Sequence, residues 1–509
     1  MRKFAVSLGQ TLLLLILFVL IEIQQLHEQP LIDRVLDSLQ SVSNGTRSMS
    51  RSPTDLSFPY QSSNWSTSRL PLLTPAPHYP TPKQSENTAR LMPTPSHPHT
   101  LTSHIKPGLL HAETIHHLTS IPASRQSTVP QILQVDCDGR SVEHGFLSKV
   151  NDFVDSVMGS GENGLPRLQC PPLNSTRYST LHHLFPSTRP SYFFAMNFHQ
   201  SAHVIPQLLG AIVEAVRFLG PDRCVISVVE GRSTDGTFEI LKSLVKEMEH
   251  LGVSYFLSCN ELQPGADGME RISTLAELRN LALQPLTRNP DQFDLSTTII
   301  FLNDIVPCGE DILELILQRA LLEADMTCGM DWYNLGDGEG GTFYDSWIGR
   351  QMNGETFFEV PQSTSWDFSK NLFWDHETSK LRYSLGQPLQ VFSCWNGAAA
   401  IGARPFVDGR IRFRTQVPGE CHLGEPVHLA KDLWRLGYGK IAVIPSVNLG
   451  YSVEDSIIAK DAHGWVSKMV EQGSMELNRI VWQEKPPGQI KCLEGDWHKP
   501  SWEPFDLDT

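Results

Sequence analysis

From Ser191 onward, short apolar runs alternate with segments whose apolar positions recur at helical spacing. Tyr192–Phe198, Val225–Val229, Val253–Leu257 and Ile299–Leu302 are rich in aromatic and β-branched residues and too short for helices, so they predict strands, and Met326–Met330 a fifth. Val225–Val229 is apolar apart from Ser227, as expected of a strand covered on both faces. Between them, His203–Leu219, Thr237–Leu251, Ile272–Leu286 and Glu310–Leu322 predict helices. In Thr237–Leu251 the stripe is Phe238, Leu241, Leu244, Val245 and Met248. A further helix is predicted over Leu429–Leu436. Strand–helix alternation predicts an α/β domain with a parallel sheet covered by helices on both faces. Ligands of such sheets bind beyond the carboxyl ends of the strands. The polar residues just after Val229 and Leu302 are therefore the first candidates.

The chain before this region follows other patterns. Phe4–Ile23 is largely apolar and follows Arg2 and Lys3; twenty helical residues cover about 30 Å, the thickness of a bilayer's hydrocarbon core. The flank Ile23-Gln24-Gln25-Leu26-His27-Glu28 lacks the small residues of a cleavable signal, so a retained anchor is preferred to a signal peptide. Residues 1–3 would then form a cytosolic tail and everything after residue 23 would be lumenal. Residues 24–130 are dominated by Pro, Ser, Thr and His, and Glu86 is the only acidic residue between Leu56 and His111. That composition buries too little apolar surface to fold and predicts an extended stem. N-glycosylation sequons at Asn44, Asn64 and Asn174 agree with a lumenal course. Anchor, stem and a globular part over 131–509 form the layout of a Golgi-resident, single-pass type II membrane protein.

Charge sharpens this division. The net charge of −15 hides a slightly basic first 130 residues, with 10 Lys and Arg against 7 Asp and Glu, and a remainder with 31 basic against 49 acidic. So acidic a globular part excludes nucleic-acid binding, which needs clustered Lys and Arg. A phosphate-bearing substrate would need a local cation, most simply a metal ion. The nine cysteines include no CxxC pair, which argues against a zinc ribbon. All nine follow the stem, where an oxidising lumen allows disulfides, and the odd count leaves at least one thiol without an intramolecular partner.

Several segments carry candidate chemistry. In Glu230–Thr237, a turn between strand and helix, carboxylates and hydroxyls suit a nucleoside; the alternative is that Ser233, Thr234 or Asp235 only caps the helix. Asn303-Asp304 places a carboxylate at a strand's end, where Mg²⁺ or Mn²⁺ could bridge a diphosphate; the alternative is a turn residue. Arg271 and Arg279-Asn280 share a helix, and Arg279 could fork onto a phosphate or a carboxylate. Phe343-Tyr344-Asp345-Ser346-Trp347-Ile348-Gly349-Arg350, approached by Gly336–Gly341, combines aromatics, a carboxylate and an arginine as a sugar platform would; the alternative is a packed aromatic cluster. Ser393-Cys394-Trp395-Asn396-Gly397 follows, then Glu420, His422, Glu425, His428 and Asp432, of which His422 and His428 could ligate a metal or simply pack.

Together and in order, six of these segments resemble the fungal α-1,3-mannosyltransferases of the cryptococcal capsule-associated type. They are Val228–Thr237, Leu278–Leu283, Phe301–Val306, Phe343–Trp347, Ser393–Gly397 and Glu420-Cys421, within a resemblance spanning Ser191 to Tyr451. The resemblance implies a glycosyltransferase-A type, Rossmann-like fold, GDP-mannose as donor, a mannose-containing acceptor and a divalent metal, Mn²⁺ before Mg²⁺. It also implies an α-1,3 linkage made with retention. It assigns Glu230, Ser233 and Asp235 to the donor nucleoside region, Arg279 and Asn280 to a neighbouring one, and Asp304 to the metal, with Asn303 beside it. The sequence departs from the common Asp-x-Asp form, since Leu302 stands where the first Asp would, so the metal site is expected either to take another ligand, such as His422, or to bind weakly.

The mechanism this implies places Asp345 or Glu420 near the anomeric carbon. Tyr344, Trp347, Trp395, Asn396 and Arg350 would form the sugar or acceptor pocket. Two other readings remain at this level. One is the same fold with UDP-xylose or UDP-glucuronate; the other is a non-catalytic, glycan-binding Golgi subunit.

Overall fold

The computed structural model describes residues 144–159, 164–182, 189–265, 271–334, 340–360, 369–472, 479–493 and 501–506. The expected anchor, the stem, the sequons at Asn44 and Asn64 and most of the Gly336–Gly341 approach lie outside the described residues. Among those described, no helix is long and apolar enough to cross a membrane. Asn174 is exposed, and its side chain accepts from the Arg177 N–H at 3.1 Å.

One sheet organises the domain. Its strands are β1 (Tyr192–Phe198), β2 (Cys224–Gly231), β3 (Ser254–Asn260), β4 (Thr298–Leu302), β5 (Met326–Tyr333), β6 (Thr342–Phe343), β7 (Leu389–Gln390), β8 (Ala398–Gly402) and β9 (Ile441–Gly450). They run in the order β3-β2-β1-β4-β8-β5-β9-β7, with β6 paired to β5. β1 shows why the sheet is buried on both sides. Phe193 and Ala195 enter one core, while Tyr192, Phe194, Met196 and Phe198 enter the other, as the two-residue period of a strand requires. β3, at the edge, alternates between buried and half-buried positions.

The sheet is mixed, which corrects the parallel sheet expected from the alternation. β1 to β4 are parallel neighbours, but β8 lies between β4 and β5 and runs antiparallel to both. After β5 the chain makes a long excursion through residues 340–397 and returns down the middle of the sheet. Ala398 and Ala400 face one core while Ala399 and Ile401 face the other, so small side chains let both helical layers close over this strand.

The helices that position the site are α1 (Val150–Met158), α2 (Ile205–Leu219), α3 (Thr237–Leu251), α4 (Arg271–Ala282), α5 (Gly309–Leu321), α6 (Glu377–Ser384), α7 (Glu425–Arg435), α8 (Val453–His463) and α9 (Val466–Gln472). α3 ends at Gly252, whose φ of 86° is the left-handed value a helix terminus uses and glycine tolerates. α4 stops at Ala282 rather than running to Leu286, because Pro285 cannot donate to the helical ladder and starts a separate short turn. Disulfides Cys170–Cys308, Cys328–Cys394 and Cys421–Cys492 cross-link the domain. Cys259 is also disulfide-bonded, and Cys224 is a free, buried thiol.

Candidate functional site

The carboxyl ends of β1, β2 and β3 surround a cavity of about 140 Å³. Asn197, His199, Arg232, Asn260, Gln263 and Leu278 are among the residues that line it. Asn260 is held in place from both ends of its amide: Nδ2 donates to the Glu230 carbonyl at 2.9 Å and Oδ1 accepts from the Leu262 N–H at 2.8 Å. Arg232 at the rim adopts a φ of 56°, a left-handed conformation that costs a non-glycine residue about 1 kcal/mol or more.

The three residues expected to bind the donor nucleoside do not line this cavity. Glu230 is buried, and its Oε1 accepts from the Ser233 N–H at 2.6 Å. Ser233 Oγ accepts from the Gln200 N–H at 2.9 Å. Asp235 Oδ1 accepts from the Thr237 N–H at 3.1 Å and Oδ2 from the Ala202 N–H at 2.9 Å. These side chains therefore hold two loops together and cap the entry to α3, satisfying N–H groups that the helix leaves without partners. Of the motif, only Gly231 and Arg232 line the cavity; the rest of its lining is Asn197–His199, Val229, Asn260, Leu262–Pro264 and Leu278.

A second group of polar residues gathers where β4 and β5 end. The Asn303 N–H donates to the Gly397 carbonyl at 2.9 Å, and Asn303 Oδ1 accepts from Trp395 Nε1 at 3.0 Å. Asn303 thus ties the end of β4 to the loop before β8. Asp304 follows, half-buried. Burial raises its pKa, opposed by its own N–H and by the charges of His203 and Arg279. Asp345 lies in the same neighbourhood. Its Oδ2 accepts from the Asn396 N–H at 2.9 Å, and Asn396 reaches this position with a φ of 53° while its Nδ2 donates to the Gly329 carbonyl at 2.8 Å. Burial pushes the Asp345 carboxyl up to about 7, against the pull of that N–H and of Arg279, while Glu425 adds to the rise.

Asp331 was not anticipated from the sequence. It is fully buried in β5; its Oδ1 accepts from the Asp345 N–H at 3.3 Å and its Oδ2 from the Tyr451 hydroxyl at 2.6 Å. Burial, then the neighbouring Asp345, drives its pKa well up. The Tyr344 ring packs on Tyr451 with centroids 4.9 Å apart, and the charges of Asp331, Asp304 and Asp345 all bear on its hydroxyl, which burial and these charges raise. The sequence signal was an aspartate inside an otherwise apolar strand, since carboxylates are rarely buried without a purpose.

Arg279 follows Leu278, which lines the cavity, but its own guanidinium turns to the second group, near Asp345. Arg279 Nε donates to Glu425 Oε1 at 2.6 Å, and its guanidinium lies 4.2 Å over the Trp395 ring. Asn280, expected near the donor, instead exchanges both amide groups with the Phe413 backbone, at 2.8 and 3.0 Å, and clamps that loop onto α4. Arg350 is likewise not a sugar contact. It is fully buried, and its guanidinium donates to the carbonyls of Lys491, Trp347 and Gly349 at 2.9 Å each.

Glu420 belongs to a separate charge network. Arg414 forks onto it at 2.6 and 3.0 Å, Arg435 Nη1 donates at 3.2 Å, and His428 Nδ1 lies 3.3 Å away. Burial alone would raise its pKa, but His428 and Arg414 outweigh burial and hold it well below the usual carboxylate range. A carboxylate so engaged is a poor nucleophile, and Asp432 shares the same Arg414 at 2.7 Å. His422 packs near Trp347, ring centroids 6.2 Å apart. Among the described residues, no group of three His, Cys, Asp or Glu side chains converges on Asp304 or His422. One such group, Cys421, Cys492 and Glu503, has its two sulfurs joined in a disulfide. Trp434 packs, stacked on Phe392.

Comparison with known proteins gives the family of the chain. A family model described as Cryptococcal mannosyltransferase 1 matches residues 191–432, which run from β1 through most of α7 and contain Asp304, Asp331, Asp345, Arg279 and the cavity lining. Alpha-1,3-mannosyltransferase CMT1 of Cryptococcus neoformans var. neoformans serotype D is 32% identical over 326 residues, covering 60% of this chain and 68% of that one. Solved structures align at lower similarity. GalNAc-T7 with UDP, GalNAc and Mn²⁺ aligns at TM-score 0.32 and 13% identity, covering 54% of this chain and 48% of that one. The mannosyltransferase PcManGT from Pyrobaculum calidifontis, with GDP-Man and Mn²⁺, aligns at TM-score 0.31 and 14% identity, covering 60% and 63%. On the extent of the match to CMT1, the chain belongs to the cryptococcal mannosyltransferase family.

Proposed function

We propose that this chain is a glycosyltransferase-A type enzyme that transfers mannose from GDP-mannose to a mannose-containing glycan, forming an α-1,3 linkage with retention. The observation that carries the reading is the gathering of Asp304, Asp331, Asp345 and Arg279 where β4 and β5 end, in a domain with a cavity at the carboxyl ends of β1–β3 and in a member of a mannosyltransferase family. The linkage follows the activity in the related enzyme's name, and the guanine nucleotide follows the sequence resemblance. The same reading assigns the protein to the Golgi membrane, anchored by residues 4–23 with its enzyme domain in the lumen.

The residues present fit a divalent cation. Asp304 offers a hard oxygen ligand at a strand end, in surroundings that disfavour its bare charge. A small cation that keeps its waters and takes phosphate oxygens needs only one or two carboxylates from the protein. Asp304 would hold it, and the ion would offset the charge of the departing diphosphate. His422 has no demonstrated part in this site.

The chain's own residues do the rest. The cavity at β1–β3 binds the nucleoside, and Arg279, fixed by Glu425 and Trp395, presents its guanidinium between nucleoside and sugar. Asp345 is the carboxylate beside the anomeric carbon, held by the Asn396 N–H. Retention follows if the acceptor attacks from the face the nucleotide leaves, or if Asp345 first forms a covalent glycosyl intermediate. Asp331, tied to Tyr451, keeps Asp345 in place rather than touching the sugar.

Calorimetry on the full-length protein in detergent, with GDP-mannose, UDP-xylose and UDP-glucuronate in turn, tests the donor. Binding of GDP-mannose alone supports the reading. Binding of a uridine sugar instead, or of none of the three, defeats it.

A further inference from the structure

The site described so far accounts for the donor and leaves open where the acceptor docks. We propose that Tyr333 is the stacking platform for a pyranose ring of the acceptor saccharide, an inference that rests on the mannosyl-transfer reading above. In sheet order the nucleoside cavity lies at β3-β2-β1, Asp304 ends β4, and Asp331 and Tyr333 end β5 beyond it. A donor seated from the cavity to Asp304 leaves the β5 side for the incoming sugar.

Tyr333 is two residues beyond Asp331 in the same strand and so projects from the same face. Asp331 is fully buried, whereas Tyr333 is 42% exposed. The two are joined by a row of rings. Tyr333 packs on Tyr344 with centroids 5.9 Å apart, Tyr344 packs on Tyr451 at 4.9 Å, and the Tyr451 hydroxyl donates to Asp331 at 2.6 Å. An aromatic surface thus leads from the carboxylates to solvent.

The platform is held firmly. Tyr333 pairs with Thr342 in the β5–β6 ribbon, and the next N–H, that of Asn334, donates to Asp455 Oδ1 at 3.3 Å. Gly341 allows the close return of the ribbon: its φ is 86°, and a Cβ there would stand 3.2 Å from the Tyr333 carbonyl oxygen. A pyranose has an apolar C–H face and a rim of hydroxyls, so it suits a flat, partly wet ring with a phenolic tip. The argument for the ligand is the position of this half-exposed ring, at the solvent end of the row of rings that starts at Asp331.

The test uses full-length protein in detergent and α-mannobiose as the probe, followed by saturation-transfer NMR and by acceptor KM with GDP-mannose. Tyr333→Ala is expected to weaken α-mannobiose binding and raise the acceptor KM about tenfold, with the donor KM unmoved. Tyr333→Leu, which keeps apolar bulk but removes the flat ring, should behave alike, and Tyr333→Phe should retain affinity. Trp502→Ala, an exposed aromatic on the separate β10–β11 ribbon (Gln489–Cys492 with Ser501–Pro504), should leave affinity unchanged. Equal binding by wild type and both Tyr333→Ala and Tyr333→Leu overturns the proposal, as does a wild type that binds no α-mannobiose. A wild type that binds α-mannobiose with the expected Tyr333 dependence but neither binds nor consumes GDP-mannose defeats the donor reading and leaves the platform standing.

Discussion

Arg279 Nε donates to Glu425 Oε1 at 2.6 Å, and the guanidinium that makes this bond lies over the Trp395 ring at 4.2 Å. One end of the interaction is on α4 and the other at the first turn of α7, 146 residues away in sequence. Both side chains are nearly buried, at 11% and 3% exposure, so the pair is shielded from competing water. The guanidinium is thereby fixed in plane and orientation close to Asp345, whose pKa it lowers.

Arg279→Lys therefore costs more than a conserved charge suggests. An ammonium cannot stack flat on Trp395 while donating to Glu425. We expect kcat/KM for mannosyl transfer to fall by roughly 100-fold, on the scale of losing a charge-stabilising donor. Steady-state kinetics against both substrates check this.

Asp304→Ala is expected to reduce transfer by roughly 1,000-fold while the melting temperature holds or rises, because a half-buried carboxylate with an upward-shifted pKa contributes little to stability. Kinetics and a thermal melt on the same sample check both halves. Retained activity would remove Asp304 from the metal-holding role.

The Asp345 carboxyl, pushed up to about 7 by burial, sets a pH profile. The proposed mechanism uses its ionised form, so kcat/KM should rise through about pH 7 and level above it. In Glu425→Gln the midpoint should move to lower pH, since a like charge is lost and Arg279 is left to Asp345. The stability sign is opposite. A folded pKa above the unfolded value of about 3.9 gives a contribution that is full below that value and lost as pH rises through about 7. Thermal melts across that interval should show the decline, and Asp345→Asn should flatten it.

Glu420 behaves in the other direction. Its folded pKa is depressed, so its contribution is present above the unfolded value of about 4.3 and is lost as pH falls below it. Its side chain is only 6% exposed and faces Arg414, Arg435 and Lys431. Removing it leaves these cations without their shared partner, so Glu420→Gln should destabilise by roughly 3 kcal/mol at neutral pH and reduce the acid sensitivity of unfolding. Denaturant titrations at neutral pH and at pH 4 check this.

The Cys328–Cys394 disulfide joins β5 to the residue before Trp395 and Asn396. Replacing both cysteines with serine should cost about 2–4 kcal/mol and lower kcat more than it raises the donor KM, because Asn396 holds Asp345 and not the nucleoside. A denaturant titration and steady-state kinetics separate the two effects.

Much of the fold was legible from periodicity. The predicted bounds of β1 and α3 coincide with the observed ones, because each is a clean apolar pattern closed by turn residues. β8 was not legible: Ala398-Ala-Ala-Ile-Gly402 has neither strand propensity nor alternation, and its place is set by the need for small side chains between two packed layers. Asp304, Asp345, Arg279, Trp395 and Asn396 were named from charged and aromatic residues in turns and on one helix, and the structure brings them near one another. Glu230, Ser233 and Asp235 looked alike by that criterion, yet they serve the loop and the helix cap, and sequence spacing cannot tell an inward carboxylate from an outward one. Asp331 and Tyr451 were missed because their meeting depends on β9 lying beside β5, a pairing of residues more than a hundred positions apart.

The most direct measurement incubates the protein in detergent with GDP-mannose and α-mannobiose, with Mn²⁺ or with EDTA, and reads product mass. A trisaccharide formed with Mn²⁺ and absent with EDTA is the predicted result, and its new linkage should be α-1,3. Absence of any trisaccharide in Mn²⁺, together with absence of GDP-mannose hydrolysis, would contradict the assignment of this chain as a GDP-mannose-dependent mannosyltransferase.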